Sequence, residues 1–211
     1  LREFEAAGKL PLRVSCFLKM EPGLENPRRY ARTLASERLR FAGVKQITDG
    51  VCEAHTGYLT EPYADDPSTC GEPAIGREDL LAMVEEADAC GFSVRLHAIG
   101  NGAVKQALDC FEEVRRRHGP KGLRHTIEHI ETCCHEDIGR FARLGVMPSM
   151  QPIHAVLNVD GYPRLLGEKW RPLMWPTRSL IESGAIVAFG TDAPVWNLNP
   201  MEGIYAAVTR R

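Results

Sequence analysis

The sequence predicts an α/β fold assembled from parallel βα units, and three observations predict it. Short apolar runs alternate along the chain with amphipathic stretches of helical period, and turn residues fall between them. The two connections too long for a compact α/β unit, residues 50–76 and 152–178, both follow the C-terminal end of an apolar run. Side chains able to bind a metal or move a proton fall at the ends of different runs. The 211 residues, 44% hydrophobic and 26% charged, suffice to bury one sizeable core, so one domain over 1–211 is expected.

The first apolar run is LPLRVSCFL (10–18), followed by PRRYARTLASERLRF (27–41), where Leu34, Arg38 and Leu39 keep helical spacing. AGVKQIT (42–48) reads as the second strand. A helix, REDLLAMVEEADACG (77–91), ends with Gly91 as its C-terminal cap. FSVRLHAIG (92–100), LRHTIEHI (123–130), VMPSMQP (146–152) and AIVAFGTD (185–192) complete six expected strands. Helices are expected over 102–119, 135–145 and 179–184, with PMEGIYAAVTRR (200–211) after the last strand. The two long connections are rich in Pro, Gly and aromatic residues; they read as lids or binding loops, with disorder as the alternative.

Several functions are excluded early. A formal net charge of −2 leaves no electrostatic footprint for nucleic acid, and the basic run RRRH (115–118) is flanked by Glu112, Glu113 and Glu128, as a solvated helix end would be. No apolar run approaches the length of a membrane span, and LREFEAAGKL is acidic where a signal peptide would be basic. The seven cysteines, at 16, 52, 70, 90, 110, 133 and 134, show no framework spacing; a reducing, cytoplasmic setting is expected.

The stretch RHTIEHIETCCHE (124–136) holds three histidines, two cysteines and three glutamates. A structural zinc knuckle would need two Cys separated by two to four residues and a second ligand pair, which adjacent Cys133 and Cys134 do not supply. As a strand, LRHTIEHI places His125, Ile127 and His129 on one face and Arg124, Thr126 and Glu128 on the other, with His129 near the C-terminal end. His97 ends SVRLHA, Asp192 ends IVAFGTD, and Lys45 lies in AGVKQIT with Asp49 just beyond. Each alone has the plain reading of a packing residue. Together, at the C-terminal ends of successive parallel strands, they stand where a β/α barrel places its chemistry. Metal-assisted hydrolysis needs imidazole and carboxylate ligands, a base for the attacking water, and a donor toward the developing oxyanion. Asp192 can be both ligand and proton acceptor. Lys45 fits a metal only if neutral or converted by carbon dioxide to an anionic carbamate.

Five segments carry a family resemblance: VKQITDGVCEAHTGYLTEPY (44–63), VRLHAIGNGAVKQALDCFE (94–112), RHTIEHIE (124–131), SMQPIHA (149–155) and GTDAPVWNLNPMEGIYAAVTR (190–210). In this order they resemble the YtcJ-like branch of the amidohydrolase superfamily. The resemblance implies a TIM-type (β/α)8 barrel beside a small β-sandwich, and metal-dependent cleavage of small-molecule amides such as N-substituted formamides. It implies Lys45 as a bridging, carbamylated ligand on the family's fourth strand, His97 on the fifth, His129 on the sixth and Asp192 after the eighth, holding a divalent metal, zinc in the first place. It implies His154, in QPIH, as a substrate or transition-state contact. His125 falls in the RHxIEH pattern as a substrate residue or a core hydrogen-bonding histidine, and Tyr63 and His55, on the long loop, as pocket-lining residues.

The superfamily's HxH pair on the first strand occurs nowhere in this sequence. The expectation is therefore an incomplete barrel covering strands three to eight, without the sandwich domain, from a longer enzyme, with weak or no catalysis on its own. Its two edge strands, near 12–18 and 185–190, would pair with each other or support a homodimer. Two rival functions are set beside this one. HAIGNGAV carries Gly100 and Gly102 where a dinucleotide fingerprint begins, but Lys105 stands where its third glycine belongs. A non-catalytic folded module is the other.

Overall fold

Six parallel strands lie side by side in the order of the chain: β1 (Val14–Lys19), β2 (Leu39–Ile47), β3 (Val94–Ala98), β4 (Thr126–His129), β5 (Met147–Met150) and β6 (Ala188–Phe189). They come from a computed structural model that describes residues 1–210. The helices are α1 (Arg2–Ala6), α2 (Glu25–Thr33), α3 (Arg77–Ala89), α4 (Asn101–His118), α5 (His135–Leu144), α6 (Pro152–Leu157), α7 (Tyr162–Leu166), α8 (Thr177–Glu182) and α9 (Pro200–Thr209). Each parallel pair is joined by a crossover, as parallel pairing requires. Because the strand order never reverses, there is no crevice of the doubly wound, nucleotide-binding kind; the sheet is an incomplete barrel. Its edges, β1 and β6, are not paired to each other among the described residues.

Alternation along β3 sets the two layers. Val94, Leu96 and Ala98 are buried against the helices, with Leu80 and Val84 of α3, Val104, Leu108 and Phe111 of α4, and Phe141 of α5, while Arg95 and His97 face the other way. Removing one such side chain, as in Leu108→Ala, typically costs about 2–5 kcal/mol. At the far end of α4, the basic run is the solvated helix end the sequence indicates: Arg116 and Arg117 pair with Glu113, and Arg117 with Glu85.

Two elements differ from expectation. The helical spacing of Leu34, Arg38 and Leu39 does not extend α2, which stops at Thr33. A turn held by Ser36, whose Oγ accepts from the Leu39 amide (2.8 Å), starts β2 at Leu39. Leu34 and Leu39 still share a burial site, a small cluster with Leu10. AIVAFGTD forms a strand only at Ala188–Phe189, because β6 has β5 alone to pair with.

The long connections are folded, not disordered. Over 50–76, Tyr63 is buried and its hydroxyl donates to the Gly57 carbonyl (2.7 Å). Over 152–178, Tyr162 and Trp175 are buried with ring centroids 4.6 Å apart. The two connections join through the Ala64 amide on the Leu165 carbonyl (2.7 Å). The glycines of HAIGNGAV serve this packing: a Cβ on Gly100 would sit 2.1 Å from the Tyr58 carbonyl oxygen. That carbonyl accepts from the amides of Gly102 and Ala103 (2.9 and 3.2 Å), so these α4 N-terminal donors are spent on the loop and the dinucleotide reading fails. No helix among the described residues is long and apolar enough to cross a membrane.

Candidate metal centre

The face of the sheet away from the helices is polar, and its groups rise in layers. Lowest are Arg95 and Glu128, an ion pair at 3.0 Å, with Ser149 donating to Glu128 (3.0 Å). Above them, at the C-terminal strand ends, come His97 from β3 and His129 from β4, ring centroids 4.5 Å apart. Lys45 shares this face, since its neighbour Val44 is buried among the helices; its charge is felt by His97, His129 and Glu128.

His129 does not reach this face by alternation. Glu128 already points there, so regular β geometry would turn His129 toward the helices. The backbone is instead left-handed at His129 (φ 77°) and Ile130 (φ 52°), a conformation that costs non-glycine residues on the order of 1–3 kcal/mol each. Neighbouring backbone holds it: the Ile130 amide donates to Ala98 (3.0 Å) and the Trp175 amide to Glu131 (2.9 Å). The reversal re-aims the ring toward His97.

Burial, then the neighbouring His97, His154 and Lys45, push the His129 pKa down to about 3. Burial also lowers His97, against the rise from its bond to the Gly50 carbonyl. Both imidazoles are neutral at pH 7, as metal ligands must be. His97 Nε2 lies 3.1 Å from the Gly50 oxygen, which can only accept, so Nε2 carries the proton and Nδ1 keeps its lone pair. His129 Nδ1 is buried and has no hydrogen-bond partner. An orphaned imidazole nitrogen in a dry polar cluster is the feature a metal ion would satisfy.

His154, on α6, stacks parallel to His129 at 6.1 Å and donates through Nδ1 to Glu131 (3.1 Å). Burial disfavours its charged form, but the bond to Glu131 and the charges of Glu131, Asp192 and Glu53 outweigh it and raise its pKa. Asp192, half-buried past β6 at φ 56°, is near enough for its charge to raise His97 as well. Donor atoms of His129, Glu131 and His154 all lie within 4.8 Å of one another, a set that could share an ion. Glu131 is the residue sequence reasoning missed. It lies past the strand, where alternation carries no signal; its only mark was a second carboxylate in EHIE.

Three expected site residues are elsewhere. His125 sits at the opposite end of β4, its Nδ1 accepting from the Val94 amide (3.2 Å) and its ring on Phe111 at 4.8 Å, the surroundings of a core hydrogen-bonding histidine. Tyr63 is buried inside its own loop, its hydroxyl on the Gly57 carbonyl. His55 binds Asp65 (3.0 Å) and borders a depression of ≈ 630 Å³ with Asp49 and Gly50. Asp49 itself clamps the loop to β3, accepting from Tyr58, Ile99 and Gly100. A cavity of ≈ 780 Å³ between α6, α8 and α9 is lined by none of the site histidines. Cys133 and Cys134 are buried free thiols in the turn before α5, outside any metal-donor cluster of the described residues.

A sequence profile described as "Amidohydrolase family" matches residues 1–211. Putative amidohydrolase YtcJ of Bacillus subtilis is 31% identical over 98% of this chain and 38% of its own length. The N-substituted formamide deformylase of Arthrobacter pascens is 25% identical over 79% of this chain and 28% of its own. An uncharacterized metal-dependent hydrolase from Pyrococcus furiosus superposes with TM-score 0.85 at 31% identity, covering all of this chain and 43% of that one. The chain thus spans well under half the length of these relatives.

Proposed function

The chain belongs to the amidohydrolase family, and on that premise we propose that it carries the metal-holding part of a hydrolase that cleaves carbon–nitrogen bonds of small amides, N-substituted formamides being the substrate class. The single observation carrying this reading is the His97–His129 pair with its orphaned Nδ1 at the strand ends. Lys45 as carbamate, His97, His129 and Asp192 are the proposed holders. When bound, a divalent metal, zinc first, supplies Lewis acidity that polarises a carbonyl and makes water a stronger acid. Asp192 accepts the proton of the attacking water and returns it to the leaving amine. His154 faces the substrate from α6, and Arg95 and Glu128 support the layer beneath.

The HxH pair absent from this sequence would supply further ligands, so we expect weak turnover from this chain alone. Its unpaired edges, β1 and β6, support a homodimer reading, and seven unpaired cysteines support a reducing, cytoplasmic setting. The test is metal content by inductively coupled plasma mass spectrometry on the chain and on a His97→Ala, His129→Ala double variant. Near-stoichiometric transition metal lost in the variant is the expected result. Metal retained by the double variant, or absent from the chain even after zinc is supplied during refolding, would overturn the site.

A further inference from the structure

The group around His154 contains more than a hydrolase reading uses. Glu131 is buried, and its carboxylate accepts from the Tyr162 hydroxyl on one side and from His154 Nδ1 at 3.1 Å on the other. Tyr162 is itself fully buried, packed on Trp175, and its hydroxyl lies 3.2 Å from Glu53 Oε2 on the other long loop. His154 Nε2, by contrast, has no hydrogen-bond partner among the described residues. The ring is therefore tied at one nitrogen and free at the other.

We propose that Glu131, braced by Tyr162, is a positioning residue that locks His154 in the tautomer with its proton on Nδ1, leaving an Nε2 lone pair for substrate. This rests on the reading of His154 as the substrate-facing group, and deepens it. A carboxylate can only accept, so the nitrogen facing Glu131 must carry hydrogen; in the neutral ring the other must then be bare. Tyr162 donates its single proton to Glu131, which fixes the carboxylate's rotation so that its other oxygen meets His154. Because Tyr162 comes from the second long connection and Glu131 from the end of β4, the hydroxyl ties that connection to the ring's orientation. Loop packing and tautomer are thereby set together.

The test reads the tautomer directly and needs no turnover, so it stands or falls apart from the hydrolase reading. Long-range ¹H–¹⁵N correlation spectra of the chain would be taken at pH 8.5 with a chelator present, His154 being assigned by its loss in His154→Gln. The expected spectrum shows a pyrrole-type Nδ1 and a pyridine-type Nε2. Glu131→Ala is expected to shift the majority of the population to the Nε2–H form, whereas Glu131→Gln, whose amide oxygen still accepts, keeps Nδ1–H. A wild-type His154 that is mainly Nε2–H overturns the proposal, whether or not the variants fold. So does a folded Glu131→Ala chain whose His154 tautomer is unchanged. Loss of metal binding with the tautomer intact would sink the hydrolase reading and leave this one standing.

Discussion

Two histidines bracket β4, His125 just before its first residue and His129 its last, four residues apart and roughly 13 Å by strand rise, and they are opposites. His125 is satisfied: Val94 donates to one nitrogen, Asp88 lies 3.8 Å from the other, and Phe111 covers the face. His129 is unsatisfied: its backbone is left-handed, its Nδ1 has no partner, and its neighbours His97, His154 and Lys45 all oppose protonation. Folding alone explains the first arrangement. The second leaves strain and an unpaired polar atom in place, which a structure tolerates where a ligand completes the set.

The largest effect that could break this contrast is on metal. His129→Ala should reduce bound metal from near-stoichiometric to background, while His125→Ala should leave it unchanged, both read by mass spectrometry of the purified chains. Equal loss in the two would mean that metal is reporting general damage.

Stability should run the other way. In chelator, His125→Ala strands the Val94 amide, leaves buried Asp88 with Lys121 alone (2.6 Å) and opens space beside Phe111. The expected cost is about 2–4 kcal/mol, or a Tm lower by roughly 5–15 °C. His129→Gly removes packing, yet it also removes an orphaned buried nitrogen and a strained φ, each costing about 1–3 kcal/mol, so little net change is expected. Calorimetry showing the larger loss at His129 would reverse the assignment of which end is structural.

What the sequence made legible divides along the same line. The six strands, their order, and His97, Lys45 and Asp192 near strand ends follow from apolar runs whose period is local. His129 was found for a partly wrong reason: alternation pairs it with His125 on one face, and the left-handed turn that separates them leaves no mark in residue type, since neither His129 nor Ile130 is a glycine. Glu131 was missed because its meaning depends on Tyr162, 31 residues on. The burial of Tyr63 was not legible because loop aromatics look alike whether they face a pocket or fill the loop's own core; the Gly57 bond is visible only in the fold. The aromatics Tyr162 and Trp175 likewise pack the second connection.

The smallest expected effect concerns pH. Burial, partly offset by Asp88, lowers the His125 pKa below its ordinary value near 6.5, with Lys121 adding to the fall. A depressed histidine binds fewer protons folded than unfolded, so its contribution is present above the unfolded pKa and is lost as pH falls through the window below about 6.5. The groups facing the ring explain the sign. Asp88 of α3 attracts the protonated form, but Lys121, Arg115 and Arg124 border the same ≈ 310 Å³ cavity, and protonating Nδ1 would set a second donor against the Val94 N–H. His125→Asn keeps an acceptor of similar reach without a titrating ring. Its Tm should therefore fall less than that of wild type between pH 7 and pH 5, in chelator, where the metal site cannot contribute. If the two acid limbs run parallel, the His125 pKa is the same folded and unfolded, so the fold does not disfavour its protonation and the Val94 bond and Lys121 do not hold the ring neutral.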